Sequence, residues 1–313
     1  MRVLKFGGTS VTGADRLEQV ARIVAAAHRE DEILVVVSAQ AGVTDRLLWA
    51  AEEASAGRLS VEALRGELGV RHLGALEALR LDRRLHDAAY RRAADELHRR
   101  LIELTEDLRE QASRKLGKPE VLARILAAGE RLSAPLVAAA LAGAGIEARA
   151  VDAAKVLRTR GPILDAEPDV EASRQPLREL LAGLPPGTVP VFTGFLGADA
   201  AGRTTLLGRG GSDTSATVLA AAAGAERVEI FTDVEGVMSA DPRRHPNAVL
   251  LPQLSYEEAY ALAATGAKVL HHKAVEPARA AGIPILVRSS FAPERPGTVI
   301  GKLVTEEAER RVA

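Results

Sequence analysis

Lys5 closes the apolar run Val3-Leu4-Lys5-Phe6, and Gly7-Gly8-Thr9-Ser10 follow directly. If Val3, Leu4 and Phe6 form a buried strand, Lys5 is not an ordinary surface charge. Glycines let backbone amides approach a phosphate, and a following helix offers a positive N-terminus, so the stretch suits an anion. A plain strand-to-helix turn with an edge lysine is the alternative for Gly-Gly alone. Arg209 has a comparable setting in Thr204-Thr205-Leu206-Leu207-Gly208-Arg209-Gly210-Gly211-Ser212-Asp213-Thr214. A guanidinium there could grip a carboxylate with two parallel hydrogen bonds. Asp213 could be a helix N-cap, or the acid that orients a catalytic lysine or a metal-bound water. Two more strand ends carry polar residues. Ser38 and Thr44 close Val35–Thr44, a weak signal alone. Thr232 and Asp233 open an acidic turn that runs through Met238 to Asp241-Pro242-Arg243, which suits a nucleotide-holding loop.

These residues need a frame. Val3–Phe6, Ile33–Val37, Val189–Phe195, Val228–Thr232 and Ile283–Arg288 read as buried strands, with Ile146–Val151 weaker. Strands that are apolar throughout imply a parallel sheet covered on both faces. A helix from Asp15 to about His28 is expected, with Asp15 and Glu18 as a capping pair. Ser255 to Glu258 repeats that signature before another helix. Asp213–Ala223 is expected to be helical and to stop at Gly224. The charged, strand-poor stretch from about Leu59 to Leu116 reads as a helical elaboration with a solvated face. Leu184-Pro185-Pro186-Gly187 is turn-rich and marks the expected boundary between lobes. The fold class is α/β, a mostly parallel sheet between helical layers. Ligands in such sheets collect at the carboxyl ends of strands, where all four polar stretches fall.

Composition narrows the function classes. The chain has 313 residues, 47% of them hydrophobic and 27% charged, with a net charge of −1 and no basic tail. That charge gives no basis for bulk binding to nucleic acid or membrane surfaces. No cysteine is present, so disulfides and thiolate metal sites are excluded and a reducing compartment fits. No signal-peptide pattern opens the chain, and its apolar stretches read as too short to span a bilayer; the expected location is cytoplasmic. The P-loop, the opening dinucleotide fingerprint, the protein-kinase motifs, the nucleophile elbow and the H-E-x-x-H zinc set are all absent. His271 and His272 read as packing or surface residues, and no metal-ligand set is evident.

Taken together, KFGGTSV, VVVSAQAGVT, AAGERLSAPL, GFLGADAAGRTTLLGRGGSDTSA, FTDVEGVMSADPR, GAKVLHHKAVEPA and SFAPERPGTVI resemble, in order, the catalytic domain of aspartate kinases in the amino acid kinase superfamily. The resemblance covers about residues 2–301. It implies a three-layer αβα sandwich in a single domain over 1–301, with a substrate-side N-lobe to about 187 and a nucleotide-side C-lobe from about 188. It implies transfer of the ATP γ-phosphoryl group to the β-carboxylate of L-aspartate, on the route to lysine, threonine and methionine. Lys5 would stabilise charge on the transferring group, and Asp213 would organise Lys5 and the magnesium shell. Gly7, Gly8, Thr9 and Ser10 would line the phosphates. Ser38, Thr44, Glu130, Arg209, Gly210, Gly211 and Ser212 would bind substrate, Glu130 taking its α-ammonium and Arg209 a carboxylate. Thr232, Asp233, Met238, Arg243 and Lys268 would hold ATP, with Mg²⁺ bound mainly through phosphates and water.

Some positions depart from the family pattern. Met238 stands where an aromatic residue is frequent, Leu206 replaces a common threonine, and His272-Lys273 replaces a His-Pro-Arg style sequence. Family members usually continue into ACT modules that bind feedback inhibitors, whereas only a charged tail, residues 302–313, follows Gly301 here. The expectation is a kinase without intrinsic ACT feedback, for which a separate regulatory chain is a possible partner, and a homodimer is compatible with the resemblance. An amino acid kinase acting on another acidic metabolite, or a non-catalytic ligand sensor, are the competing expectations.

Overall fold

The computed structural model describes residues 1–81, 85–113, 118–239, 245, 247–264 and 270–302. The chain begins with β1 (Arg2–Phe6), a 3-10 turn at Gly8–Val11, α1 (Ala14–His28) and β2 (Ile33–Val37). Next come α2 (Val43–Ser55), α3 (Val61–Leu81), α4 (Asp87–Ala112) and α5 (Pro119–Gly143). The strands β3 (Ala148–Val151), β4 (Arg158–Arg160) and β5 (Glu167–Asp169) then precede α6 (Val170–Ala182), β6 (Val189–Thr193), β7 (Leu196–Ala198) and β8 (Thr204–Leu206). The chain continues through α7 (Gly211–Ala223), β9 (Arg227–Thr232), β10 (Gln253–Leu254), α8 (Tyr256–Ala264), α9 (His272–Ala281), β11 (Ile285–Ser289) and β12 (Thr298–Ile300).

Among the described residues the main sheet has eight strands in the order β10-β12-β11-β9-β1-β2-β6-β3. Every pairing in it is parallel except β11 with β12. β1 lies between β2 and β9, so chain connections leave it on both sides. This is the switch point at which an open α/β sheet forms its ligand crevice.

The two faces of the sheet follow from strand alternation. Leu4 and Phe6 enter a core with Val20 of α1, Leu47 of α2, Leu68 of α3, Leu97 of α4 and Leu132 of α5. Val3 enters the opposite core with Leu177 of α6, Leu219 of α7 and Val275 of α9. Lys5 shares the parity of Val3 and therefore faces the α7 side. The Phe6 and Phe231 rings stack at 4.9 Å and lock β1 to β9 just behind the crevice. Truncating a fully buried side chain such as Leu4 would cost ~2–5 kcal/mol.

Several expectations need correction. α1 is capped by Gly13 without a side-chain cap bond, so Asp15 and Glu18 do not form the expected pair. Ser255 and Glu258 do: the Ser255 amide donates to Glu258 Oε2 at 2.8 Å and the Glu258 amide to Ser255 Oγ at 3.1 Å. The strand from Val189 ends at Thr193 and not at Phe195, because Phe195 turns to a φ of 70°. A four-stranded sheet in the order β5-β4-β7-β8 was not foreseen. The α3–α4 segment is helical as expected, with Arg91, Arg92 and Arg99 on its exposed face and Leu97, Leu101, Leu104 and Leu108 of α4 buried beneath. Finally, α5 is long and apolar enough to cross a membrane by length and composition, yet 78% of its apolar window is buried inside the fold. It is a core helix packed on α4, α1 and the sheet.

Candidate active site

Lys5 is carried by the central strand and is nearly buried, and its ammonium meets Asp213 Oδ1 at 2.6 Å. Asp213 is in the first turn of α7, whose N-cap is Gly210. Of the two roles open from sequence, capping is therefore excluded and pairing with the lysine is observed. The contact is an ion pair in a largely buried setting, and it holds the ammonium at the mouth of the cavity. Removing one member of a buried pair leaves an uncompensated charge, at ~3–5 kcal/mol.

A cavity of about 310 Å³ opens beside this pair, at the lower end of the ~300–1,000 Å³ usual for small-molecule sites. It is lined on one side by Ser38, Ala39 and Thr44, from the end of β2 and the start of α2, and by Glu130 from α5. The opposite wall is Gly208, Arg209, Gly210, Gly211 and Ser212, with Phe195 between. All the substrate-side residues expected from sequence thus share one cavity with Lys5 and Asp213.

Glu130 is 3% exposed. The Ala39 amide donates to its Oε1 at 3.0 Å, while Oε2 has no partner. Burial, only partly offset by the Ala39 hydrogen bond and by the charges of Lys5 and Arg131, pushes this carboxyl up to about 8. A cation arriving in the cavity would favour its ionised form and release a proton.

Arg209 is exposed. Among the described residues no carboxylate pairs with it, in contrast to the many arginines of this chain held in ion pairs. Its loop is fixed from outside. Gly210 has a φ of +72°, and a Cβ there would come within 2.2 Å of the His271 Cβ. Lys273 Nζ donates to Asp165 Oδ1 at 2.5 Å, and that carboxylate packs against Gly208. Phe195, with its left-handed backbone, packs its ring against Gly211. His271 is the packing residue expected from sequence, whereas the roles of Asp165, Phe195 and Lys273 were missed. Phe195 stands in the quoted GFLG stretch, whereas Asp165 and Lys273, 108 residues apart, carried no local signal.

The expected phosphate loop is only partly free. The Gly7 amide donates to Phe231 O at 3.0 Å. Ser10 is buried and its hydroxyl lies 2.7 Å from that of Ser290, so it holds the loop to the end of β11 and does not present a hydroxyl to solvent. Gly8 has a steric role, since a Cβ there would approach Ala39 O to 2.7 Å. Thr9 is exposed. On the expected nucleotide side, Thr232 Oγ1 donates to Asp233 Oδ1 at 3.1 Å at the end of β9, and Met238 bridges to Leu250. Neither lines the 310 Å³ cavity. Arg243 and Lys268 lie outside the described residues.

The family model of the amino acid kinase family matches residues 1–289. The chain is 35% identical to a bifunctional aspartokinase/homoserine dehydrogenase of Haemophilus influenzae, over 98% of this chain and 37% of that protein. It is likewise 35% identical to an aspartokinase of Chlamydia trachomatis, over 98% of this chain and 66% of the other. Among solved structures, E. coli aspartokinase III in complex with aspartate and ADP superposes with a TM-score of 0.85 at 33% identity, covering 98% of this chain and 65% of that one. The chain therefore spans from about a third to just under two thirds of these relatives.

Proposed function

The chain belongs to the amino acid kinase family, and from that premise we propose that it is an aspartate kinase, moving the γ-phosphoryl group of ATP to the β-carboxylate of L-aspartate. The observation that carries this reading is the convergence of Glu130, Arg209 and the Lys5–Asp213 pair on one 310 Å³ cavity. An α-amino dicarboxylate has one cationic and two anionic ends. Glu130 receives the ammonium and Arg209 a carboxylate, which leaves the second carboxylate toward Lys5. The similarity to aspartokinases, one of them solved in complex with aspartate and ADP, supports the same substrates.

The chemistry asks little of the protein beyond positioning and charge stabilisation. A β-carboxylate oxygen attacks the γ-phosphorus, the new O–P bond forms as the bond to ADP breaks, and no proton need be removed from the ionised nucleophile. The product is 4-phospho-L-aspartate. Lys5 offsets charge on the transferring group, and Asp213 keeps the ammonium in place. Gly7, Gly8, Thr9 and Ser10 remain proposed phosphate neighbours, Ser10 with its hydroxyl on Ser290, and Thr232, Asp233, Met238, Arg243 and Lys268 proposed ATP neighbours. No cluster of three or more acidic or histidine side chains suited to a metal occurs among the described residues. Magnesium would be held mainly through the phosphates of ATP and water, with Asp213 the nearby carboxylate able to meet its water shell, and would supply further charge neutralisation. The same proposal keeps a lobe boundary near residue 187, with Ser38, Thr44 and Glu130 of the first lobe and Arg209 to Ser212 of the second meeting across one substrate cavity, and its expected location is the cytoplasm.

The test is acyl-phosphate formation with Mg-ATP, trapped as the hydroxamate. Product with L-aspartate is expected, with L-glutamate weaker by ~10–200-fold, the usual range for one methylene. Lys5→Ala should abolish it. Absence of product with L-aspartate would sink the reading, and product with another dicarboxylate would replace the substrate.

A further inference from the structure

Arg71 lies on α3, within the helical stretch whose charges read as a solvated face, yet its guanidinium turns inward. Nε donates to Gln40 Oε1 at 2.8 Å, and Nη2 donates to the Ala41 carbonyl at 2.6 Å. Gln40 is 2% exposed. These two acceptors directly follow Ala39, whose amide donates to Glu130 Oε1 at 3.0 Å. From the other side, the Ala41 amide donates to Thr12 Oγ1 at 3.0 Å, and the Thr12 hydroxyl donates to the Gly8 carbonyl at 2.7 Å. The short connection between β2 and α2 is thus held between α3 and the glycine turn after β1.

We infer that Arg71 is a positioning residue for the ammonium end of the cavity: it fixes the peptides at 39–41 so that the Ala39 amide faces Glu130. This rests on the cavity being the aspartate site. A purely architectural role for Arg71 fits less well. α3 is already tied to α2 by Arg46, which grips both oxygens of Glu67 at 2.6–3.0 Å, and it is anchored by Leu64, Leu68 and Leu76 in the core. The two acceptors of Arg71 belong to one short loop, which suits the rigid fork of a guanidinium and not a single ammonium. Arg71 acts on Glu130 only through that loop. The charges bearing on Glu130 are Lys5 from β1 and Arg131 on its own helix, with Asp213 paired to Lys5 and Arg209 across the cavity.

The experiment measures hydroxamate formation at varied L-aspartate and pH for the wild type, Arg71→Met, Arg71→Lys and Gln40→Ala, with thermal unfolding of each. Arg71→Met is expected to raise the KM for aspartate about tenfold, the effect of losing a charge-assisted hydrogen bond, with kcat within about twofold. It should also move the pH at which KM falls above that of the wild type, because Glu130 loses a donor to its ionised form. Arg71→Lys should recover part of the loss, and the KM for ATP should not change. A silent wild type would defeat the aspartate reading itself. An active wild type with unaltered KM and pH profile in Arg71→Met would overturn the inference alone, as would equal losses for both substrates. If Arg71→Met has no cooperative unfolding transition, Gln40→Ala decides: a smaller rise in aspartate KM supports the inference, and an unchanged KM overturns it.

Discussion

The two ends of the cavity bind charge in opposite ways. At one end Glu130 is buried, has an unpartnered oxygen and holds its proton up to about 8. At the other, Arg209 is exposed, always charged, and presented by a loop pinned by His271 and by the Asp165–Lys273 pair. The first end is costly to ionise without a cation, so it discriminates by desolvation. The second is ready at all times but screened by solvent, so it attracts an anion with little selectivity of its own. Selectivity for an amino acid over a simple dicarboxylate should therefore reside at Glu130, and long-range capture at Arg209.

The largest effect expected from this contrast is Glu130→Gln, which should raise the KM for L-aspartate by about 100-fold, in the range for losing one member of a buried charge pair. It should leave the affinity for succinate, which lacks the ammonium, nearly unchanged in calorimetric titration; equal losses for both acids would break the contrast. Arg209→Lys should cost about tenfold in aspartate KM, since an ammonium cannot reproduce the two-pronged grip. Salt should sharpen the difference. Raising ionic strength from about 0.01 to 0.1 M shortens the screening length from ~30 to ~10 Å, and should weaken aspartate binding in the wild type more than in an Arg209→Gln variant, as read by calorimetric titration. The smallest effect is on stability without substrate. Glu130 titrates near 4.5 when unfolded and about 8 when folded, so the native state holds the extra proton between these values. Stability contributed by this group is therefore full below 4.5 and declines as pH rises toward about 8. A melting series should show that decline in the wild type and lack it in Glu130→Gln.

The substrate end was more legible in sequence than its supports. Lys5 at a strand end, the glycine-flanked Arg209 and Asp213 at a helix start are local patterns, and strand alternation alone brings Lys5 to the α7 face. β4 and β5 were not legible because they are three-residue strands of polar and proline-containing sequence, Arg-Thr-Arg and Glu-Pro-Asp. The left-handed turn at Phe195 ended a strand that hydrophobicity would have continued. The contact of the Ser10 hydroxyl with that of Ser290, 280 residues away, was not legible because no local pattern links the two. The inward turn of Arg71 was hidden for a similar reason, since its acceptors lie 30 and 31 residues earlier.

The most direct test of the account is the aspartate KM for hydroxamate formation over about pH 6 to 9, a profile that reports the ionisation of a binding group, in the wild type and Glu130→Gln. The account predicts product from L-aspartate, with a wild-type KM that falls as pH rises toward about 8 and a high, flat KM in the variant. No product, or the same pH dependence in both proteins, would contradict it.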